Sequence, residues 1–437
     1  MMKEKRKTQR KERTEECPLV AIDLGSSGIR AMAATAIERQ DPHNAEESVV
    51  TLNILGLEEI RKGGYVEKGI VTQKTDAGFS IGRVLTQLSN RIGMHEVIDR
   101  AFVSIGGRLL QVCQATVKRD LISRNYISDG LLNAMQAECK TKIEQHYPQM
   151  TVISAEPVRY LLDGVEQEDA PASNQKARYF EVAYCVFAGT RESVENLTGG
   201  FNRANKAIEN QWVRPAAHVE ALASDEDLEE GCAIIDFGAQ TTTLSVYQHY
   251  TFLHTHVIPL GGDNLTRDIQ DGRLSFQTAE QVKQRFGQAC PEQVKEDKTL
   301  RIPTANPTQE KAELPLSQLA AIIQARLDEI LGPVMQEIGH YHDNIRHIYL
   351  TGGGSMLNGL PEYIQQQTDL PVEYGSHAPW LEQDAADEYY LPVYSALVGT
   401  LLLGSRYRKE DKGNLVEAPF LKRILKKTID IFANVEN

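Results

Sequence analysis

The sequence predicts an α/β protein built from two similar halves, and three observations carry that expectation. First, residues 18–23 form an apolar run that ends in Leu24-Gly25-Ser26-Ser27-Gly28 and turns back into a second apolar run, 29–37. This is a strand, a tight glycine turn and a returning strand. Second, the same design recurs at 232–247, where Cys232-Ala-Ile-Ile-Asp236 leads through Phe237-Gly238-Ala239-Gln240-Thr241-Thr242 into an apolar run at 244–247. Each unit carries Asp and then Gly at its tip, as expected of an internal duplication. Third, strand patterns alternate with helical ones along the rest of the chain, which calls for helices packed on sheets.

The elements follow in order. After the first unit, 79–91 has helical spacing, 101–105 reads as a strand, and 130–145 is helical again. Strands are expected at 152–153 and 179–187, with 165–176 as a polar, acidic loop between them. Beyond the second unit, 292–312 contains Pro303 and Pro307 and reads as a surface excursion. A long helix is predicted at 316–338. A strand at 347–350 then runs into Thr351-Gly352-Gly353-Gly354-Ser355.

Composition narrows the function classes. At 437 residues the chain exceeds one ordinary core, so two or more units in contact are expected. A net charge of −13 would repel a phosphate backbone, which argues against nucleic acid as a partner. The six cysteines form no C-x-x-C pair and read as reduced thiols, so neither a zinc site nor a disulfide framework is expected. No run approaches the roughly eighteen apolar residues of a membrane span. The basic start, 1–17, has no apolar stretch behind it and reads as a disordered tail rather than a secretory signal.

Three glycine turns, each after a strand, carry the chemistry: Asp23 with Gly25, Ser26 and Ser27; Asp236 with Gly238, Thr241 and Thr242; and Gly352, Gly353, Gly354 with Ser355. Glycine lets successive backbone N–H groups surround an anion with no Cβ in the way. The neighbouring hydroxyls can donate to phosphate oxygens. Aspartates at the strand ends can hold Mg²⁺ through water, because that ion sheds its hydration reluctantly. A single such turn is more often a plain hairpin; three in this order are far more specific.

In that order the turns resemble the first phosphate, second phosphate and adenosine loops of the actin, Hsp70 and sugar-kinase superfamily. Gly261-Gly262-Asp263-Asn-Leu-Thr-Arg-Asp268 is similar to the segment after the second hairpin. Glu280 and Lys283 resemble the helical pair that holds ribose and adenine. Three apart, they share a helix face, although such a pair also suits a surface ion pair. Within the superfamily the chain resembles the bacterial cell-division family FtsA. The likeness includes Lys62-Gly-Gly-Tyr-Val-Glu-Lys-Gly-Ile-Val, Val103-Ser-Ile-Gly-Gly-Arg-Leu-Leu, Ile122-Ser-Arg and Ile153-Ser-Ala-Glu-Pro-Val-Arg-Tyr-Leu-Leu-Asp-Gly.

That resemblance implies an actin-like (ribonuclease H-like) duplicated two-domain fold with a nucleotide cleft and an FtsA-type inserted subdomain. The expected layout is 18–98 and 191–232 for domain 1, 99–190 for the inserted unit and 233–390 for domain 2. A helix at 391–412 would return to domain 1, followed by a linker at 413–419 and a terminal helix at 420–435. It further implies ATP and Mg²⁺ binding, self-polymerisation, and tethering of the tubulin-like protein FtsZ, through its C-terminal segment, to the inner face of the membrane at the division site. FtsZ contact is expected after Asp263 and before His347, and other division proteins are expected partners. The second loop departs from the usual Asp-x-Gly-Gly-Gly-Thr-x-Asp: Ala239, Gln240 and Thr243 replace two glycines and an aspartate. Binding is still expected from the other loops, but hydrolysis is in doubt.

The C-terminal segment reads without any family. Phe420, Leu421, Ile424, Leu425, Ile429, Ile431, Phe432 and Val435 fall on one half of a helix, and Lys422, Arg423, Lys426, Lys427 and Asp430 on the other. About fifteen residues make roughly 22 Å, too short to span but suited to lying among anionic headgroups. A helix packed on the protein's own core, or one that binds a partner, is the alternative. Two other readings of the whole chain compete. A sugar or carboxylate kinase would need an aspartate base, for which no candidate stands out. A related pilus-assembly scaffold would not need its own lipid helix.

Overall fold

The computed structural model describes residues 17–40, 48–61, 64–167, 171, 175–306, 308 and 310–411. The predicted basic tail, Cys17 apart, the linker 413–419 and the terminal helix 420–435 lie outside the described residues.

Strands β1 (Leu19–Gly25), β2 (Gly28–Gln40) and β3 (Ser48–Arg61) form an antiparallel meander. A small ribbon, β4 (Val66–Glu67) with β5 (Ile70–Val71), and helix Lys74–Arg91 follow, and β6 (Arg100–Ile105) then lies parallel to β1. Four strands build a separate sheet: β7 (Gln111–Tyr126), β8 (Met150–Leu162), β9 (Val165–Gln167) and β10 (Lys176–Thr190), in the order β7-β10-β8-β9. β11 (Ala207–Val213) returns parallel to β6 and completes a sheet of order β11-β6-β1-β2-β3.

The second half repeats this plan. β12 (Cys232–Phe237), β13 (Thr242–Gln248) and β14 (Thr251–Ile258) form the meander. β15 (Thr299–Ile302) and β16 (Ala312–Pro315) make a side hairpin, and β17 (His347–Thr351) and β18 (Val372–Tyr374) lie parallel to β12. The order is β14-β13-β12-β17-β18. Each sheet is thus three antiparallel strands extended by two parallel ones, and β1 and β12 are equivalent central strands. Both are buried along nearly their whole length, so their apolar runs are continuous rather than alternating.

The pleat divides β12 between two cores. Cys232 and Ile234 face the core shared with the first half, while Ala233, Ile235 and Phe237 face the core of the second. Helix Leu316–His340 closes that second core with Leu319, Ile323, Leu327, Ile330, Val334 and Ile338, a spacing of three and four residues. Burying such a side chain contributes about 1.5–3 kcal/mol. The four-stranded sheet has a third core of its own, in which Met135 and Cys139 of helix Asp129–His146 meet Phe180, Val182 and Tyr184.

Helix Ser395–Asp411 comes back to the first half and packs on helix Arg214–Leu222. Gly399 lies so close to the Ala217 carbonyl that a Cβ would collide with it. Arg406 forks onto the buried Glu220, and Arg408 onto Glu209 at 2.7 and 2.8 Å.

Three expectations need correction. The strand at 100–105, assigned to the inserted unit, belongs to the first sheet, because it pairs with both β1 and β11. Residues 165–167, read as loop, form β9 against β8. The excursion at 292–312 contains the first strand of the β15–β16 hairpin.

Candidate functional site

Equivalence of β1 and β12 brings the tips of both hairpins to one place. Asp23 and Asp236 close the two central strands, and both face Arg214, the first residue of helix Arg214–Leu222. Arg214 Nη2 donates to Asp23 Oδ1, and Nη1 lies 3.8 Å from Asp236 Oδ2. Burial works against the Arg214 charge, but Asp23 and Asp236 outweigh it and hold the guanidinium above its ordinary value.

Asp23 has a second cation. Arg30 stands opposite it in the β1–β2 register, with Nη1 3.6 Å from Asp23 Oδ2. The same guanidinium donates to Ser27 Oγ and to Glu59 Oε1, each at 3.2 Å. One helical turn beyond Arg214 lies His218, whose pKa burial pushes down to about 4, so the ring is neutral at physiological pH.

The second hairpin is built differently. Gly238 N–H donates to the Thr241 carbonyl at 2.9 Å, closing the turn on itself. Helix Gly262–Gln270 then caps it: Gly262 N–H donates to Gly238 O at 2.9 Å and Asp263 N–H to Ala239 O at 2.7 Å. Gln240 reaches outward in both directions. Its amide nitrogen donates to Asp263 Oδ2 at 3.1 Å, and its oxygen accepts from the Lys68 backbone N–H at 3.0 Å. This joins the second half to the β4–β5 turn of the first. On the other side of that turn, Gly69 N–H donates to Ser26 Oγ at 3.2 Å.

The third turn, Gly352–Ser355, lies against the end of β12. A Cβ on Gly352 would collide with Asp236, and one on Gly354 would come within 2.7 Å of the Phe237 carbonyl. Gly262 in turn lies beside Gly354 and the Lys283 ammonium. Lys283 Nζ donates to Gly262 O at 2.9 Å and Thr266 Oγ1 at 2.8 Å, and lies 2.7 Å from Glu280 Oε2. Burial pushes the Glu280 carboxyl up, but Lys283 and the hydroxyl of Thr266 hold it below its usual range. The pair is therefore part-buried and ties helix Phe276–Phe286 to the capping helix.

The fold brings Asp23, Gly25, Ser27, Asp236 and Gly352 together around the two arginines. Two predicted phosphate or nucleoside donors are committed elsewhere. Thr242, the first residue of β13, is fully buried and donates to Leu260 O at 2.9 Å, while Ser355 Oγ donates to Gly352 O at 2.7 Å. Nor do Asp23 and Asp236 fit the hydrated Mg²⁺ expected of them. Asp23 is held by two guanidinium groups and Asp236 by one, so neither carboxylate is left to balance a dication. Sequence reading missed Arg214, Arg30 and His218; an Arg-Pro pair opening a helix was the only local signal.

Residues 233–399 match the family model described as Cell division protein FtsA. Curated relatives carry the same description. That of Bacillus subtilis is 26% identical over 82% of this chain and 78% of its own length. Those of Rhizobium meliloti and Pseudomonas aeruginosa are 26% and 25% identical, over 87% and 88% of this chain and 86% and 89% of theirs. Among solved structures, a PilM-PilN type IV pilus biogenesis complex aligns with 88% of this chain and 98% of its own, at a TM-score of 0.61 and 15% identity. MreB5 of Spiroplasma citri bound to ADP aligns with 92% of this chain and 100% of its own, at a TM-score of 0.54 and 11% identity. At those identities the likeness is one of fold. With the duplicated sheets, it gives the chain an actin-like fold, and the sequence is similar over most of its length to FtsA cell-division proteins.

Proposed function

We propose that the chain binds ATP between its duplicated halves, polymerises, and tethers FtsZ to the inner face of the bacterial membrane through residues 420–435. One observation carries the nucleotide part: the tips of β1 and β12 and the Gly352 turn converge on two part-buried guanidinium groups. Arginine forks match phosphate geometry, and glycine backbones admit the anion between them. An actin-like neighbour solved with ADP supports the choice of ligand class. The partner FtsZ follows from kinship with proteins named for cell division.

Membrane attachment follows from the sequence of the tail. Four cations at roughly 1 kcal/mol each, added to one apolar face, give a weak anchor on an otherwise acidic protein. Many anchors on one polymer would bind firmly through avidity. A kinase reading is less favoured, since the two aspartates at the strand ends are both paired with arginine rather than free to take a proton.

The test uses the full chain, a version lacking 415–437, a fluorescent ATP analogue, and anionic vesicles with FtsZ as passenger. Both proteins should bind the analogue, and only the full chain should pellet and carry FtsZ down. Equal pelleting of the truncated chain would overturn the membrane reading. Failure of either protein to bind nucleotide would overturn the first.

A further inference from the structure

We propose that Arg214 takes the place of the divalent cation in this cleft, so that nucleotide binding by this chain does not require magnesium. The proposal rests on the ATP reading and goes beyond it, because it specifies which charge meets the phosphates.

A divalent ion between two strand-end carboxylates serves to cancel their charge and present a positive face to the nucleotide. Here a guanidinium occupies that position. It bridges Asp23 and Asp236, which are 213 positions apart in sequence but equivalent in the duplicated fold. Arg30 also meets Asp23 and is shared with Glu59, so three carboxylates face two guanidinium groups, and Arg214 is the cation common to the two strand ends. A dication added there would meet two guanidinium groups that repel it. The residue opposite Asp236 in the β12–β13 register is Thr243, which adds no carboxylate beside Asp236.

The surrounding backbone is shaped for this arginine. Gly106, just after β6, lies against its stem: a Cβ there would stand 2.9 Å from Arg214 Nε and 3.0 Å from Cδ. The Gly106 φ of −143° is ordinary extended backbone, so glycine is needed for room and not for conformation. Gly107 packs in turn against Gly69 of the β4–β5 turn, so this glycine pair makes room for both neighbours at once. Arg214 also keeps donors in reserve. Its guanidinium carries five N–H bonds, and the Nε is buried with no hydrogen-bond partner. The aspartates hold the fork in place beside the glycine turns that would admit the phosphate.

The decisive measurement needs no variant: titrate the full-length protein with a fluorescent ATP analogue, once with excess Mg²⁺ and once with EDTA. The two affinities should agree within about threefold, against the tenfold per 1.4 kcal/mol that loss of a bound ion would exceed. Arg214→Gln should weaken binding in EDTA by about tenfold or more, and added Mg²⁺ should restore part of it, because Asp236 then loses its arginine and Asp23 keeps only the Arg30 it shares with Glu59. Gly106→Val displaces the arginine without changing charge and should move affinity in the same direction. Arg214→Lys, which keeps the charge but loses the fork, should lie between wild type and Arg214→Gln and serves as the folding control. If wild type binds with Mg²⁺ and loses more than about tenfold in EDTA, the arginine does not replace the ion, although the ATP reading stands. If it binds in neither, both fall.

Discussion

The two halves share a strand order but finish their central hairpins in opposite ways. In the first, only Ser26 and Ser27 separate β1 from β2, and Arg30 stands directly across from Asp23. In the second, the turn runs from Gly238 to Thr241, Thr243 stands across from Asp236, and the loop carbonyls are taken up by helix Gly262–Gln270. Duplication has therefore kept the scaffold and divided the labour. The first tip holds charge, and the second is tied into backbone hydrogen bonds. Arg214 belongs to neither hairpin and joins the two.

If charge is concentrated on the first tip, removing its carboxylate must cost more than removing its counterpart. Asp23→Ala leaves Arg214 and Arg30 part-buried with a counter-charge missing, and stability should fall by about 3–5 kcal/mol. Asp236→Asn loses a looser contact at 3.8 Å and keeps a polar group there, so roughly 1–2 kcal/mol is expected. Urea unfolding of both variants, at unchanged slope, measures the difference. Equal losses would mean that the two tips are electrostatically alike and that the asymmetry is only one of loop length.

A pH test sharpens the same contrast, because His218 sits on the helix that carries Arg214. Its folded value of about 4 lies below the 6.5 of an unfolded chain. Between those values the unfolded state binds the extra proton, so stability is full above about pH 6.5 and falls as pH drops towards 4. The loss should approach roughly 3 kcal/mol. His218→Leu should show an unfolding midpoint that declines less over that window than wild type does. Parallel decline in both proteins would place the acid sensitivity elsewhere.

How far the sequence reveals this arrangement depends on the range of the cause. The central strands and the three glycine turns are legible because each is a local pattern, an apolar run ended by Asp or Gly. The duplication is legible because two such patterns match. β6 was misassigned because only the short turn Gly107–Leu109 separates it from β7, and nothing local says that it pairs with β1, about eighty residues earlier. Arg214 was missed for the same reason. In sequence it is an ordinary arginine before Pro215 at a helix start, and its meaning comes from Asp23, 191 positions away. Gly106 looked like part of a family motif; its reason is the arginine stem beside it. Ala239 and Gln240 were read as losses from a phosphate loop, whereas Gln240 has gained a role as a tie.

That tie gives the smallest and most local effect. Gln240 links its own half, through Asp263, to the Lys68 backbone of the other. Gln240→Ala removes one bond to a carboxylate within its own half and one neutral bond to the Lys68 amide, the latter worth about 1 kcal/mol to the closed arrangement. Global unfolding should scarcely register it. Hydrogen exchange at the Lys68 amide should register it clearly, with a rise of about fivefold for each kcal/mol of lost protection. The Gly238 amide, which bonds within its own turn, should keep its protection. If Lys68 exchanges no faster while Gly238 does, Gln240 stabilises its own loop and does not tie the two halves.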